Sequence, residues 1–566
     1  MHYTDLIAAF ILKVFWKLKR WLLIYLPNRP LLDGPYSEPG ISYPASLSPG
    51  NPARGEAWLN GDYSLPGAIV HAPGNNPFYL RPPNEEWAMS LQSFDWLQHV
   101  IVLNTPKANT IAVQAILDWI TYTSLSNRLA WKSEIVARRL MVWSQALPFL
   151  IPLMTTIDRA KVLASMGTQA RYLEHMAEST LPGYARIVSA SGLTYSAFAI
   201  TGGGGRLQTG IRILCRELKK QILQDGGHIS REPKLLAQIL MDLTAIRHAM
   251  QQRQIEVPQD INTSCNLISS AIDFYCYPDG QFCVFNGSTQ GEKPLIDAAK
   301  KLKQKKSKGF QYATSSGYQK LISGQSHIMM DVGKTPPASY SQQAHVAPLA
   351  FEFTHNAQRI FVNCGPNLVN GNEWREASRT PAAHNTLSFP SLSSNFFLKS
   401  EFSKKMLGTR LSAPNLKCVA RRIEDPGGTW LEASHNLFAK LNGYSHHRRI
   451  YLMTDGYDFR GEDSLLPSSK TQTPSKFVIR FHLHPDINVS ASSDGKSVLL
   501  AYKKGPGWIF LCSGTHLESM QVMESVYMGA HGYPVRSNQI VLTGMPDSNG
   551  AFINWGLKVA HDIEQK

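Results

Sequence analysis

The run KKLKQKKSKG at residues 300–309 divides the 566-residue chain into two stretches of opposite hydrophobic period. Before it, apolar residues recur three and four apart in segments 85–103, 108–124, 132–147, 157–179, 183–200, 205–224, 232–253 and 259–275, the spacing of amphipathic helices. Pro106, Pro148, Pro152, Pro182, the run Gly202 to Gly205, Gly226-Gly227 and Pro258 fall between these segments, where helices stop. Connections this short give antiparallel helix hairpins. After the run the period becomes two. Phe477, Ile479, Phe481 and Leu483 alternate with Val478, Arg480, His482 and His484, a strand with one apolar face. Similar runs at 318–332, 348–354, 358–363, 429–438, 446–453, 497–502, 508–512 and 538–543 are split by turn residues such as Ser493-Asp494-Gly495. Helices first and strands second predict an α+β multidomain chain, an all-α domain over 85–299 followed by an antiparallel β-sandwich over 317–566. Residues 300–316 between them read as a basic, solvated linker.

Upstream, residues 28–84 are rich in Pro, Gly, Asn and Tyr and read as an irregular wrapping arm. Residues 6–26, LIAAFILKVFWKLKRWLLIYL, are apolar but interrupted by Lys13, Lys17, Lys19 and Arg20, which does not make a clean transmembrane span. In a helix over residues 1–27, Lys13, Lys17 and Arg20 fall at i, i+4 and i+7, a basic stripe among Leu, Ile, Phe and Trp. That pattern suits a peripheral helix lying in an anionic membrane surface, one docked on the protein itself, or a degenerate export signal.

With 57 Lys and Arg against 42 Asp and Glu, the formal net charge is +15, which points to a polyanionic partner: nucleic acid, anionic lipid or an acidic polysaccharide. No nucleic-acid-binding motif is present, so nucleic acid is not expected. Seven scattered cysteines without a CxxC pair read as buried small hydrophobes and leave the redox compartment open. The glycines at 202–205 lack the Lys-Ser/Thr of a phosphate loop. His482 and His484 read as strand-surface histidines, for want of a third partner.

The second half contains GYQKLISGQSHIMMDVG (317–333), AHVAPLAFEF (344–353), RIFVNCGP (359–366) and WREASRTPAAHNTL (374–387), continued by HHRRIYL (446–452), RFHLHPD (480–486) and ESVYMG (524–529). In this order they resemble the C-terminal domain of the heparinase II/III family of polysaccharide lyases, and QDGGHISREP (224–233) and FCVFNG (282–287) resemble its helical half. The resemblance implies an incomplete α/α toroid, a β-sandwich, and a cleft between them where an acidic, uronate-containing polysaccharide is cut by β-elimination. That chemistry needs cations or amides to neutralise the uronate carboxylate, a Tyr or His to take the C5 proton and a Tyr to protonate the departing oxygen. It also implies a place outside the cytoplasm, in the cell envelope or periplasm; a membrane-seated N-terminus leaves the cytoplasmic face of the membrane as the alternative.

Carried over residue by residue, the family's Asn or Asn-His site falls near Ala185-Arg186, its catalytic Tyr near Leu235, and the first of two sandwich histidines at Gln343, with the second at His345. The candidates that remain are Arg186 and Arg231 for charge neutralisation, His228 as a base, and His345 and His384 as supporting groups. Tyr340, Arg375 and Arg379 are candidate substrate contacts, the arginines as bidentate partners of carboxylate or sulfate. No cofactor is required by the reaction. Family members hold a structural zinc through His, Asp and His, and the matching positions are His345, Asn363 and His384, with a neutral amide where the carboxylate stands. The expected positive potential centres on Arg186, Arg231, Arg375 and Arg379. A protein that kept this cleft and lost the acid/base set would be an acidic-glycan-binding or envelope-assembly protein instead.

Overall fold

The structure is a computed structural model that describes residues 3–26, 31–34, 37–123, 125–303, 309–367, 371–412, 416–469, 472–503, 505–529 and 533–560. The helical segments form where the apolar period placed them, from Glu85–Ser93 through Pro106–Tyr122, Ser133–Leu150, Thr156–Met176, Tyr184–Ala199, Gly204–Gln221 and Leu235–Gln252 to Gln259–Tyr275, an incomplete α/α toroid. Their inner faces meet in an aromatic cluster. Phe94 stacks on Trp96, and Trp119 and Trp143 meet edge to face at 5.5 Å. Arg139, fully buried, lies 3.9 Å over Trp119 with its donors on Gln169 and the carbonyls of Gln92 and Ala130.

The arm over 28–84 is more ordered than its composition suggests. It carries a helix Pro52–Leu59 capped by Asn51 and a hairpin pairing Asp62–Leu65 with Ala68–His71. Trp58 stacks on Trp96 at 3.8 Å, so the helix is held by a tryptophan it shares with the toroid. The linker assigned to 300–316 is likewise shorter than expected. A helix Lys293–Lys301, anchored by buried Ile296 and Ala299, runs into it, and residues 304–308 lie outside the described residues.

The second half is antiparallel throughout. An eight-stranded sheet runs in the order 488–491, 497–501, 507–513, 551–560, 458–467, 444–453, 428–435, 418–425, and it faces sheets of five strands (312–361) and four strands (387–388, 477–482, 517–528, 534–544). Trp555 sits at the centre, stacked on Phe351 at 5.5 Å and edge-on to Phe481 at 5.0 Å. Beside it Arg448 grips Asp463 with two hydrogen bonds of 2.7 and 2.9 Å, and His446 and the Trp555 indole bind the same carboxylate. Burial alone would raise the Asp463 pKa; Arg448 and His446 overturn that and hold it well below the usual carboxylate range. The HNT segment is a knot in this core: Asn385 donates to the Phe351 carbonyl and accepts from the His482 amide, and Thr386 donates to the Pro348 carbonyl.

Buried charges join the two halves. Arg231, at a left-handed φ of 63° in the turn before the helix Leu235–Gln252, reaches across the boundary. Its guanidinium donates to the carbonyls of Ser316 (2.6 Å), Gly317 (3.1 Å) and Lys334 (3.1 Å), pairs with Asp331 and lies over the Tyr318 ring at 4.6 Å. Gly333 permits this approach, since a Cβ there would stand 2.5 Å from the guanidinium. Asp225 answers from the helical side by accepting the Ser315 and Ser316 amides, and Lys320 and Arg359 reach back to helical-half carbonyls at Phe274, Cys276 and Phe282. Replacing Arg231 with Ala strands the Asp331 carboxylate and three carbonyls, and should cost about 3–5 kcal/mol of stability. A thermal melt unchanged from wild type would contradict that placement of Arg231.

Candidate active site

A cleft of about 730 Å³ lies where the helical half, the sandwich loop 339–343 and the N-terminal helix meet. The helical half contributes Tyr172, Tyr184, His228, Glu232 and Lys234; the sandwich loop contributes Tyr340, Gln342 and Gln343. Ala185, Leu235 and Gln343, the three positions matched to the family's acid/base residues, all line this wall. At those three points the cleft presents an apolar methyl, an isobutyl group and a neutral amide.

The N-terminal helix Tyr3–Tyr25 supplies a wall that the sequence did not assign to the site: Lys13, Trp16, Lys17 and Arg20. With Arg128, Lys132 and Lys234 the cleft is lined by six basic side chains against the two carboxylates Glu134 and Glu232. A concave, partly desolvated basic surface concentrates field and favours a polyanion. The positive potential is thus present, but it comes from other residues than expected.

Arg231 is spent on the domain clasp; the pairing with Asp331 outweighs burial and keeps it protonated. It pairs with Asp331 and not with the adjacent Glu232, whose partner is Lys234 at 3.4 Å. Arg379, 1% exposed, donates to the carbonyls of Ala344 (2.9 Å), Thr409 (2.7 Å) and Ser341 (3.0 Å) and lies over Phe397. Burial, with Arg375 adding to it and Glu376 opposing, lowers its pKa to about 9. It cannot meet a ligand; it fixes the loop that presents Tyr340 and Gln343. Arg375 pairs with Glu86 of the helical half at 3.5 Å instead of contacting the cleft, and Arg186 sits behind the rim, donating to the Thr180 carbonyl with Glu217 3.9 Å away.

His228 does line the cleft, but both of its nitrogens are committed. Gln221 donates its amide to Glu217 and Gly183, which aims its oxygen at His228 Nε2, 2.9 Å away. The Nε2–H donates there, and Nδ1 accepts from the Ser230 hydroxyl at 2.7 Å. Burial lowers the His228 pKa to about 3, so the ring is a neutral and weak base. His345 and His384 lie beneath the cleft in a relay. His384 Nδ1–H donates to the Thr380 carbonyl (2.7 Å), His384 Nε2 accepts from His345 Nδ1–H (2.8 Å), and His345 Nε2 is buried with no partner among the described residues. Asn363 uses its amide on the Val284 carbonyl and its oxygen on the Asn385 amide. Two imidazoles hydrogen-bonded to each other and an engaged neutral amide do not fit the zinc expected at His345, Asn363 and His384. His482, read as a surface histidine, is buried between Ser525 and the Ala382 carbonyl.

Tyr340 is the sequence candidate that the cleft receives with its chemistry free. It is half-buried on the wall, and its hydroxyl makes no hydrogen bond among the described residues. Tyr172 donates to the Trp131 carbonyl and the Tyr184 oxygen accepts from Arg138, so both hydroxyls already have a protein partner. Burial raises the Tyr340 pKa, with Glu217 adding to the rise and Arg186 opposing it.

Several buried histidines are neutral in the folded protein, with pKa values lowered by burial from 6.5 to about 3 at His228 and His482 and about 4 at His384. The unfolded chain binds protons at these sites below pH 6.5 and the folded chain does not, so stability falls as pH drops from about 6.5 toward 3. Denaturant midpoints should decline steadily across that window, and His384→Gln should flatten the decline; a midpoint constant between pH 7 and 4 would refute the assignment.

Two models of one family match successive parts of the chain, the heparinase II/III N-terminus over residues 84–310 and the heparinase II/III-like C-terminal domain over residues 305–556. FtsZ-localized protein C of Caulobacter vibrioides (strain NA1000 / CB15N) is 29% identical over 545 residues, covering 94% of this chain and 92% of that protein. Among solved structures, a heparinase III superposes with a TM-score of 0.69 at 14% identity, over 98% of this chain and 90% of the other. The heparan sulfate lyase HepC of Pedobacter heparinus does so with a TM-score of 0.58 at 15% identity, over 98% and 88%. The N-terminal model over the helical half and the C-terminal model over the sandwich, in that order, make this chain a member of the heparinase II/III family of polysaccharide lyases.

Proposed function

We propose that the protein is a polysaccharide lyase acting on an acidic, uronate-containing glycan by β-elimination, in the cleft between toroid and sandwich. The observation that carries this is the basic lining, six cations to two carboxylates, around the unengaged phenol of Tyr340. Under this reading the cations of the lining, Lys17 and Arg128 among them, neutralise the uronate carboxylate and so acidify the C5 proton. Tyr340 is the group left to move protons there. Burial raises its pKa, so the resting phenol first gives its proton to solvent; the phenolate then takes the C5 proton, and the phenol so formed passes it to the departing O4 oxygen.

A second reading is favoured by the replacement of the three matched positions with Ala185, Leu235 and Gln343. Under it the protein binds acidic glycan without cutting it. The Caulobacter relative is named for localisation with FtsZ, which supports a role in an assembly under this second reading, whereas the lyase reading favours the envelope or periplasm.

Incubation with glycosaminoglycans, alginate and envelope glycan from the host should release an unsaturated uronate absorbing in the ultraviolet. Tyr340→Phe should lower kcat by about 10²–10⁴ while leaving glycan binding intact. If phenolate formation limits the rate, turnover should climb about tenfold per pH unit from pH 7 to 9, because burial places the phenol's pKa above its ordinary value. Saturable, salt-sensitive binding with no product from any polymer would establish the second reading and sink the first.

A further inference from the structure

The N-terminal helix spans both halves of the molecule across the mouth of the cleft. Near its start Ala9 packs on Leu398, Met406 and Leu407 of the sandwich half, and Lys13 donates to the Lys405 carbonyl at 2.6 Å. Near its end Leu23 and Ile24 are buried, and Arg20 donates to the carbonyls of Leu125 and Asn127 in the helical half. The inward face is therefore occupied by the protein. The outward face is not: Ile7, Ile11, Phe15, Leu18 and Leu22 are 37–59% exposed at helical spacing, flanked by Phe10, Val14, Trp21 and Tyr25. At 100° per residue these nine side chains fill a continuous sector of roughly 140°. Monomeric soluble proteins seldom present an apolar stripe of this size to water.

We propose that this outward face beds into the headgroup region of an anionic lipid bilayer, with the cleft opening alongside it. Three features choose a bilayer over a protein partner. Lys17 and Lys19 border the apolar sector on its two sides, and residues 6–26 contain no carboxylate, which suits anionic headgroups. Two copies pairing through the same face would set these lysines against each other with no carboxylate to answer them. Trp21 and Tyr25 sit together at one end of the stripe, amphipathic rings of the kind that settle at a membrane interface. No helix among the described residues is long and apolar enough to cross a membrane, so the geometry is that of a helix lying in the surface.

The test is co-sedimentation of the full chain with vesicles of phosphatidylcholine alone or with phosphatidylglycerol added. The wild type should bind the anionic vesicles and bind neutral ones more weakly. Phe15→Glu combined with Leu18→Glu should weaken anionic-vesicle binding at least about tenfold, with thermal stability unchanged because both side chains already face water. Val419→Glu, at a side chain 69% exposed on the sandwich, should bind as wild type does. Wild-type protein that stays in the supernatant with anionic vesicles, or a Phe15/Leu18 variant that binds them equally, overturns the proposal. So does a concentration-dependent dimer that this variant abolishes in the absence of vesicle binding.

Discussion

The clasp of Arg231 with Asp331 is the contact on which the relation of the two halves depends. A buried ion pair is weak as a source of net stability, since each charge surrenders its hydration, but it is demanding in geometry. Here the guanidinium also satisfies three carbonyls of the sandwich half, and the carbonyl of Arg231 itself accepts from the Tyr318 hydroxyl at 2.9 Å. Few relative placements of toroid and sandwich satisfy all of these together. The loop bearing Tyr340 follows Lys334 by a few residues, so the clasp that fixes the boundary also fixes one wall of the cleft.

Arginine is used repeatedly in this protein as an internal fastener. Arg139, Arg231, Arg379 and Arg448 are each buried, and each spreads its donors over backbone carbonyls or one carboxylate while its flat face covers an aromatic ring. The planar fork explains the choice: it serves several acceptors at fixed angles and is more weakly hydrated than an ammonium group. A count of positive charges overstates what is available to a ligand, because part of the excess is consumed in this way. Lysines and arginines at the cleft, several of them drawn from the first 20 residues and from loops, supply the field.

Much of the architecture was legible in the sequence because period is a local property. The change from three-and-four spacing to alternation at 300–309 falls between the helices and the first strand of the sandwich at Tyr312–Ala313, and the long helices among the described residues from 106 to 275 follow apolar stripes. Strands such as Cys418–Asp425 and Leu517–Met528 were missed because they are largely exposed and carry no clean alternation. The site was legible in position and poorly legible in role. Ala185, Leu235 and Gln343 line the cleft, yet nothing local distinguishes Arg231, which binds carbonyls, from Lys234 three residues later, which faces the cleft. The stripe of Lys13, Lys17 and Arg20 was visible, but its orientation depends on contacts made more than a hundred residues away, at Leu125 and Lys405.

The placement of the N-terminal helix bears on how the chain can be cut for study. Deleting the first 26 residues, the obvious way to make a tractable soluble fragment, would remove Lys13, Trp16, Lys17 and Arg20 from the cleft and open Tyr172 and Met176 to water. A fragment of that kind would confound loss of anchoring with loss of a substrate wall. Enzymology on it would describe a different, wider and less basic pocket than the one the intact polypeptide builds.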